Sequence, residues 1–205
     1  MEMPESMETG TAFLSEPGTY HFSVLNIDEA PTAKNGSLID GFRIEADVLA
    51  GTTTGQEKKQ VELMFFNPKL TDKNNGEMAK KKQARFAVAV GLIGGARKAG
   101  EKVNVNLQDA KGRQFVATLA LDDQQSDGGK KFLRLHFADI WHVDDPAANF
   151  CPKAVKALAL LPPGLRRSSD SFAKAGEGAT TGGAASNGSK QSPPATPPLA
   201  DLNDL

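Results

Sequence analysis

Cysteine, tryptophan and tyrosine occur once each in this 205-residue chain, and histidine three times. The lone Cys151 excludes an intrachain disulfide and gives no sign of an oxidising compartment. His21, His136 and His142 show no HExxH spacing and have no partner cysteines, so neither a zinc site nor any other metal or cofactor is expected. GxSxG, Walker-type and kinase signatures are all missing. The stretch "GLIGGARKAG" is glycine-rich, but it follows a helical pattern instead of a strand and lacks the closing Lys-Ser/Thr of a phosphate loop. Asp122-Asp123 and Asp144-Asp145 fall where turns are expected, which suits solvated loop carboxylates. No apolar run approaches the roughly 20 residues of a membrane-spanning helix. The acidic start "MEMPESMETG" is unlike a secretory signal. A soluble cytoplasmic protein without enzymatic activity is the expectation.

Net charge is also small, −1, but it is unevenly placed. Residues 11–50 carry 2 basic and 6 acidic side chains (−4), whereas residues 51–113 carry 13 and 6 (+7). Residues 114–161 carry 5 and 6 (−1), and 162–205 carry 4 of each. Any polyanion site must therefore be built from the middle of the chain.

Hydrophobic periodicity outlines the elements. "GTYHFSVLNIDEA" alternates, with Tyr20, Phe22 and Val24 on one face and His21 and Ser23 on the other. Asn35-Gly36 signals a turn. "IDGFRIEADVLAG" then places Phe42, Ile44, Ala46 and Val48 inward and Arg43, Glu45 and Asp47 outward. "KKQVELMFFNP" reads as a third strand that Pro68 prevents from continuing. In "GEMAKKKQARFAVAVGLIGG" the period changes: Ala79, Phe86, Val90 and Ile93 form one helical stripe, with Gly94-Gly95 as the expected stop. "EKVNVNLQDAKG" and "RQFVATLALDD" return to period two. "KKFLRLHFADIWHV" is a long last strand with Leu133, Leu135 and Phe137 buried and Trp141 on the same parity, and "KAVKALALL" is a short amphipathic helix ended by Pro162-Pro163. Three strands, one helix and two or three more strands predict a mostly β fold. The expected form is a small antiparallel barrel of the oligonucleotide-binding type, with about five to six strands and one helix between the third and fourth. A ferredoxin-like sandwich needs a second long helix. The domain layout predicted is a flexible N-terminus (1–12), the barrel (13–161), a linker (162–198) and an acidic-apolar tip (199–205). Of the 44 residues from Pro162 onward, 28 are Gly, Pro, Ser, Ala or Thr, too little apolar surface to offset the entropy of ordering.

Binding is better supported than catalysis. A single-strand binder needs cations that follow phosphates and aromatic faces for bases. Lys58 and Lys59 open the third strand, Arg113 a later one, and Lys130 and Lys131 the last; Arg43 and Arg134 point outward. Phe132, Arg134 and His136 share the outer face of the last strand, a set suited to stacking and phosphate contact. Phe66 is the outward member of the Phe65-Phe66 pair, unless the C-terminal helix covers it. Lys80, Lys81, Lys82 and Arg85 form either a phosphate-facing patch or merely the solvated side of the helix.

"GTYHFSVLNIDEAPTAKNGSLIDGFRIEADVLAGTTTGQ", the "FNP" strand end and the closing "FLRLHFADIW" together resemble uncharacterised proteins of bacteriophage replication and recombination modules, over roughly residues 17–143. The resemblance implies an oligonucleotide-binding barrel acting on single-stranded DNA in a bacterial or phage-infected cell, beside replication and recombination proteins. The tail is similar in layout to that of bacterial single-stranded DNA-binding proteins, whose acidic-apolar tip docks replication partners. Leu199, Asp201, Leu202, Asp204 and Leu205 would correspond, although the chain has only two aspartates there and a final Leu where those proteins have Phe. The expected function is sequence-tolerant single-stranded DNA binding with a partner-recruiting tip and a capacity to self-associate. The alternatives are a β-barrel adaptor that binds protein alone and an accessory domain of an enzyme.

Overall fold

Alternating apolar residues need a second layer, and here five strands supply it to one another by curling. The computed structural model describes residues 12–33, 35–68, 73–94, 104–121, 133–168 and 171–172. Its strands are β1 (Gly18–Asp28), β2 (Gly41–Gly51), β3 (Gln60–Phe66), β4 (Gln114–Leu121) and β5 (Leu133–His142), with helix α1 (Lys73–Ala89) between β3 and β4. They form one antiparallel sheet in the order β3-β2-β1-β4-β5. The sheet is a nearly closed barrel of the oligonucleotide-binding type, as expected.

Two edges remain, β3 and β5, and the chain covers both. Residues 12–14 run along the start of β3, with Leu14 N–H donating to the Gln60 carbonyl (2.8 Å) and Gln60 N–H to that of Ala12 (2.9 Å). Farther along, α1 spans the gap. Lys82 Nζ donates to the Met64 carbonyl (2.9 Å), Gln83 Nε2 to that of Phe66 (3.0 Å), and Arg85 to that of Ala138 on β5. Carbonyls that a sixth strand would have taken are satisfied by helix side chains.

Tyr20, Phe22, Val24, Phe42, Ile44, Ala46, Val48, Leu63 and Phe65 fill the barrel, on the predicted parity. Six rings run through it in sequence: Tyr20, Phe22, Phe115, Phe86, Phe65 and Phe42, with neighbouring centroids 4.9–5.9 Å apart. Phe86 carries α1 into this chain, edge-on to Phe115. Packed aromatic pairs of this kind contribute about 0.5–1.5 kcal/mol each beyond area burial.

Several expectations are corrected. Helix α1 stops at Ala89, not at Gly94. Gly91 (φ +71°) adopts the left-handed conformation, Leu92 N–H reaches the Ala87 carbonyl (2.8 Å) and Gly91 N–H that of Val88 (3.0 Å). This is a Schellman cap. Residues 104–106 form no strand and 107–110 make a 3-10 turn capped by the Asn106 side chain, so the period-two pattern of "NVNLQDA" is misleading there. In β5, Leu135 lies opposite Leu119 but Ile140 opposite Ala117, five residues against two. The odd excess flips the parity, sending Ile140 into the barrel and Trp141 outward. The Phe137 side chain is outside the described residues.

His21 is the largest departure. Predicted outward, it is fully buried, because residues 143–168 fold back over the outer face of β1, β4 and β5. This strap contains α2 (Val155–Ala159) and builds a second core from Val116, Val143, Ala148, Cys151 and Leu161, flanked by Trp141, Leu158 and Leu165. Packing continues beyond Leu161: Arg166 forms a two-pronged ion pair with Asp144 (2.7–3.0 Å), and Arg167 Nη2 donates to the carbonyls of Val88 (3.2 Å) and Ile93 (3.0 Å).

Candidate nucleic-acid interface

The barrel sorts the candidate residues into separate places. On the seam where α1 joins β3 to β5 lie Phe66, Lys82, Arg85, Arg134 and His136, with Lys80 and Lys81 on the adjoining exposed turn of α1. Lys58 and Lys59 sit in the β2–β3 turn, at the opposite end of β3. Six residues of strand, about 20 Å, separate them from Phe66. Arg113 sits behind the end of α1, its Nη1 donating to the Val90 carbonyl (3.0 Å). Lys130, Lys131 and Phe132, together with the tip residues Leu199, Asp201, Leu202, Asp204 and Leu205, lie outside the described residues.

Phe66 ends β3 and is 57% exposed. Its register partner on β2 is Gly41, which has no side chain to cover it. A side chain there could not be accommodated: Gly41 has φ +154°, and a Cβ would stand 2.2 Å from the Phe65 carbonyl oxygen. The sequence thus leaves an aromatic face open by pairing it with a glycine. The strap does not reach it; Gln83 and Asn67 flank it instead, joined at 3.1 Å.

The cations of the seam differ in how far they are committed. Lys81 is exposed and loosely paired with Glu77 (3.7 Å), while Lys80 is exposed on the same turn. Lys82 is turned inward, its Nζ 4.9 Å above the Phe65 ring as well as bonded to Met64. Burial, helped by the neighbouring Arg134 guanidinium, pushes its pKa down to about 8. Arg134 and His136 are outward on β5, and His136 Nδ1 lies 2.8 Å from the Asp139 carboxylate. Arg43 is bound within the sheet surface by Asp28 (3.1 Å) and Glu62 (3.6 Å). Lys59 Nζ bonds to Gln56 (3.0 Å), and Lys58 is exposed at a positive φ of 66°.

The outer face of β2 and β3 is acidic. Glu45, Asp47 and Glu62 project from it beside Asp28, with Arg43 as the one cation. Phosphates are repelled from the stretch of this face around Glu45, Asp47 and Glu62. Sequence reasoning identified Arg43, Glu45 and Asp47 as outward but not how the charges segregate, since Arg43 on β2 and Lys58 in the β2–β3 turn belong to different patches. It also missed Arg167 as a clamp on α1, for no spacing links residue 167 to 88. Among the described residues, no cluster of His, Cys, Asp and Glu could hold a metal ion, and no helix is long and apolar enough to cross a membrane.

No protein-family model matches the chain, and no curated protein matches it.

Proposed function

We propose that the chain binds single-stranded DNA without strong sequence preference, along the α1–β3–β5 seam. The observation that carries this reading is the pairing of an uncovered aromatic face, Phe66, with the cations Lys80, Lys81, Arg85 and Arg134 along the seam. A base stacks on Phe66 while phosphates follow the helix, a division of labour common to sequence-tolerant binders. Three or four phosphate contacts give a log–log salt slope of about −2 to −3 for a single strand. Fluorescence anisotropy of a labelled oligo-dT against salt concentration measures it; a flat response at low salt contradicts the reading.

The stretch Leu199, Asp201, Leu202, Asp204 and Leu205 is proposed to recruit replication or recombination proteins. Deleting 200–205 is expected to abolish recruitment in nuclease-treated pull-downs while leaving oligo-dT affinity unchanged or tighter. Weaker DNA binding after the deletion contradicts that role. A protein-only adaptor is the second reading, and the acidic β2–β3 face favours it. Partners recovered after nuclease treatment, with no affinity for oligo-dT, would select it.

A further inference from the structure

The strap holds on to the barrel through two neutral imidazoles. His21, on the outer face of β1, is fully buried, with its Nδ1 accepting the Ala154 N–H (3.1 Å) and its Nε2 3.0 Å from Gln114 Oε1. The accepting Nδ1 fixes the tautomer: Nε2 carries the proton and donates to Gln114. Gln114 Nε2 donates in turn to the Ala157 carbonyl (2.9 Å), so one histidine and one glutamine on the sheet hold both the entry and the middle of α2. His142 repeats the arrangement at the strap's ends. Its Nδ1 accepts the Asp144 N–H (3.1 Å), and its Nε2 meets the Leu165 carbonyl (3.0 Å).

We propose that the strap is an acid-releasable clasp: protonating His21 turns Nδ1 from acceptor to donor, sets it against the Ala154 N–H, and frees residues 151–161 from the sheet while the barrel stays folded. Two donors facing each other in a site closed to water cannot both be satisfied. The barrel core is a separate cluster that includes none of Val116, Val143, Ala148, Cys151 or Leu161, so losing the strap does not empty it. The strap's own short helix buries no residue, and Val155 and Leu160 are exposed, so beyond Cys151, Leu158 and Leu161 in the second core this segment is held by the polar contacts.

The charged surroundings agree in direction. Lys153 is the charged group facing His21 from the strap. β4 presents Gln114 and Val116, β2 presents Ala50 as the register partner, and Asp47 on β2 stands opposite Ser23 two positions away. Burial, with Lys153 adding to it, lowers the His21 pKa from 6.5 to about 4. At His142, burial and Arg167 lower the pKa while Asp144 and Asp145 oppose them. A lowered folded pKa means the released form takes up the proton first, so holding is complete above about pH 6.5 and fails as pH falls toward 4. Linkage on His21 alone makes the opening constant about 20-fold larger at pH 5 than at pH 7.

Cys151 is the natural probe, being the single cysteine and buried where the strap meets the sheet. Labelling of the full chain with 4,4′-dithiodipyridine, normalised at each pH to the unfolded chain, is expected to accelerate about 20-fold from pH 7 to pH 5. Far-UV circular dichroism stays constant over that range. In His21→Asn, whose amide oxygen can still accept the Ala154 N–H but does not titrate, the acceleration is expected to shrink to the remainder due to His142. If that variant does not fold, amide hydrogen exchange on the unaltered chain decides instead: Ala154 loses protection in this window while Phe22 and Ile44 keep theirs. A flat labelling rate, an undiminished rise in His21→Asn, or barrel amides opening in step with Ala154 would overturn the clasp.

Discussion

Phe65 and Phe66 are adjacent and chemically identical, yet they do opposite work. Phe65 is fully buried between Phe42 and Phe86, so Phe65→Ala is expected to cost about 3–5 kcal/mol in urea unfolding. Phe66→Ala removes an exposed ring and is expected to shift stability by less than about 0.5 kcal/mol. Its cost falls on oligo-dT affinity, roughly 5- to 100-fold, the value of one stacked base. Equal loss of stability in both variants would show that Phe66 packs and does not stack. Lys82 allows a second test at this scale. Its folded pKa of about 8 lies below the unfolded value of 10.5, so between those limits the unfolded chain holds more protons and stability rises with pH. The rise is at most about 3 kcal/mol. Above pH 10 it reverses, because burial raises the Tyr20 pKa and the unfolded phenol ionises first. Lys82→Met is expected to abolish the rise between pH 8 and 10 in denaturant midpoints; a rise that persists would assign it elsewhere.

Helix α1 is the element on which fold and site both depend. It closes the gap between β3 and β5, and two arginines from distant segments meet the carbonyls at and just beyond its end, Arg113 that of Val90 and Arg167 those of Val88 and Ile93. Cations at a helix C-terminus are favoured by its dipole as well as by hydrogen bonding. Arg113→Met is therefore expected to cost about 1.5–3 kcal/mol of stability. It should change oligo-dT affinity less than threefold, which separates a capping role from phosphate contact. The strands and this helix were legible in the sequence because each buries one face, and period two or a helical stripe records that directly: Phe42, Ile44, Ala46 and Val48 on β2, Phe86 and Val90 on α1. Three features were not legible. The β5 bulge reverses parity without a proline or glycine to mark it. Gly91 and Gly94 are equivalent as letters, and only the packing of Leu92 against the core selects the first as the cap. The burial of His21 depends on a strap that begins 122 residues later, at Val143; the one local hint is β4, where Phe115, Val116 and Ala117 are all apolar, as a strand covered on both faces requires.

At the scale of the whole molecule, charge is segregated. The alternation of β2 and β3 turns Glu45, Asp47 and Glu62 outward on one side, and α1 presents Lys80 and Lys81 on another. A net charge of −1 conceals this, which is why composition alone gave no sign of a polyanion site. The central claim is that single-stranded DNA follows the seam and avoids the β2–β3 face. Its most direct test is oligo-dT anisotropy at about 50 mM salt, comparing the unaltered chain with Lys80→Glu/Lys81→Glu and with Lys58→Glu at the far end of β3. The account predicts binding by the unaltered chain, at least tenfold weaker binding by the α1 double variant, and a change below twofold for Lys58→Glu. No binding by the unaltered chain, or equal loss in both variants, would contradict it.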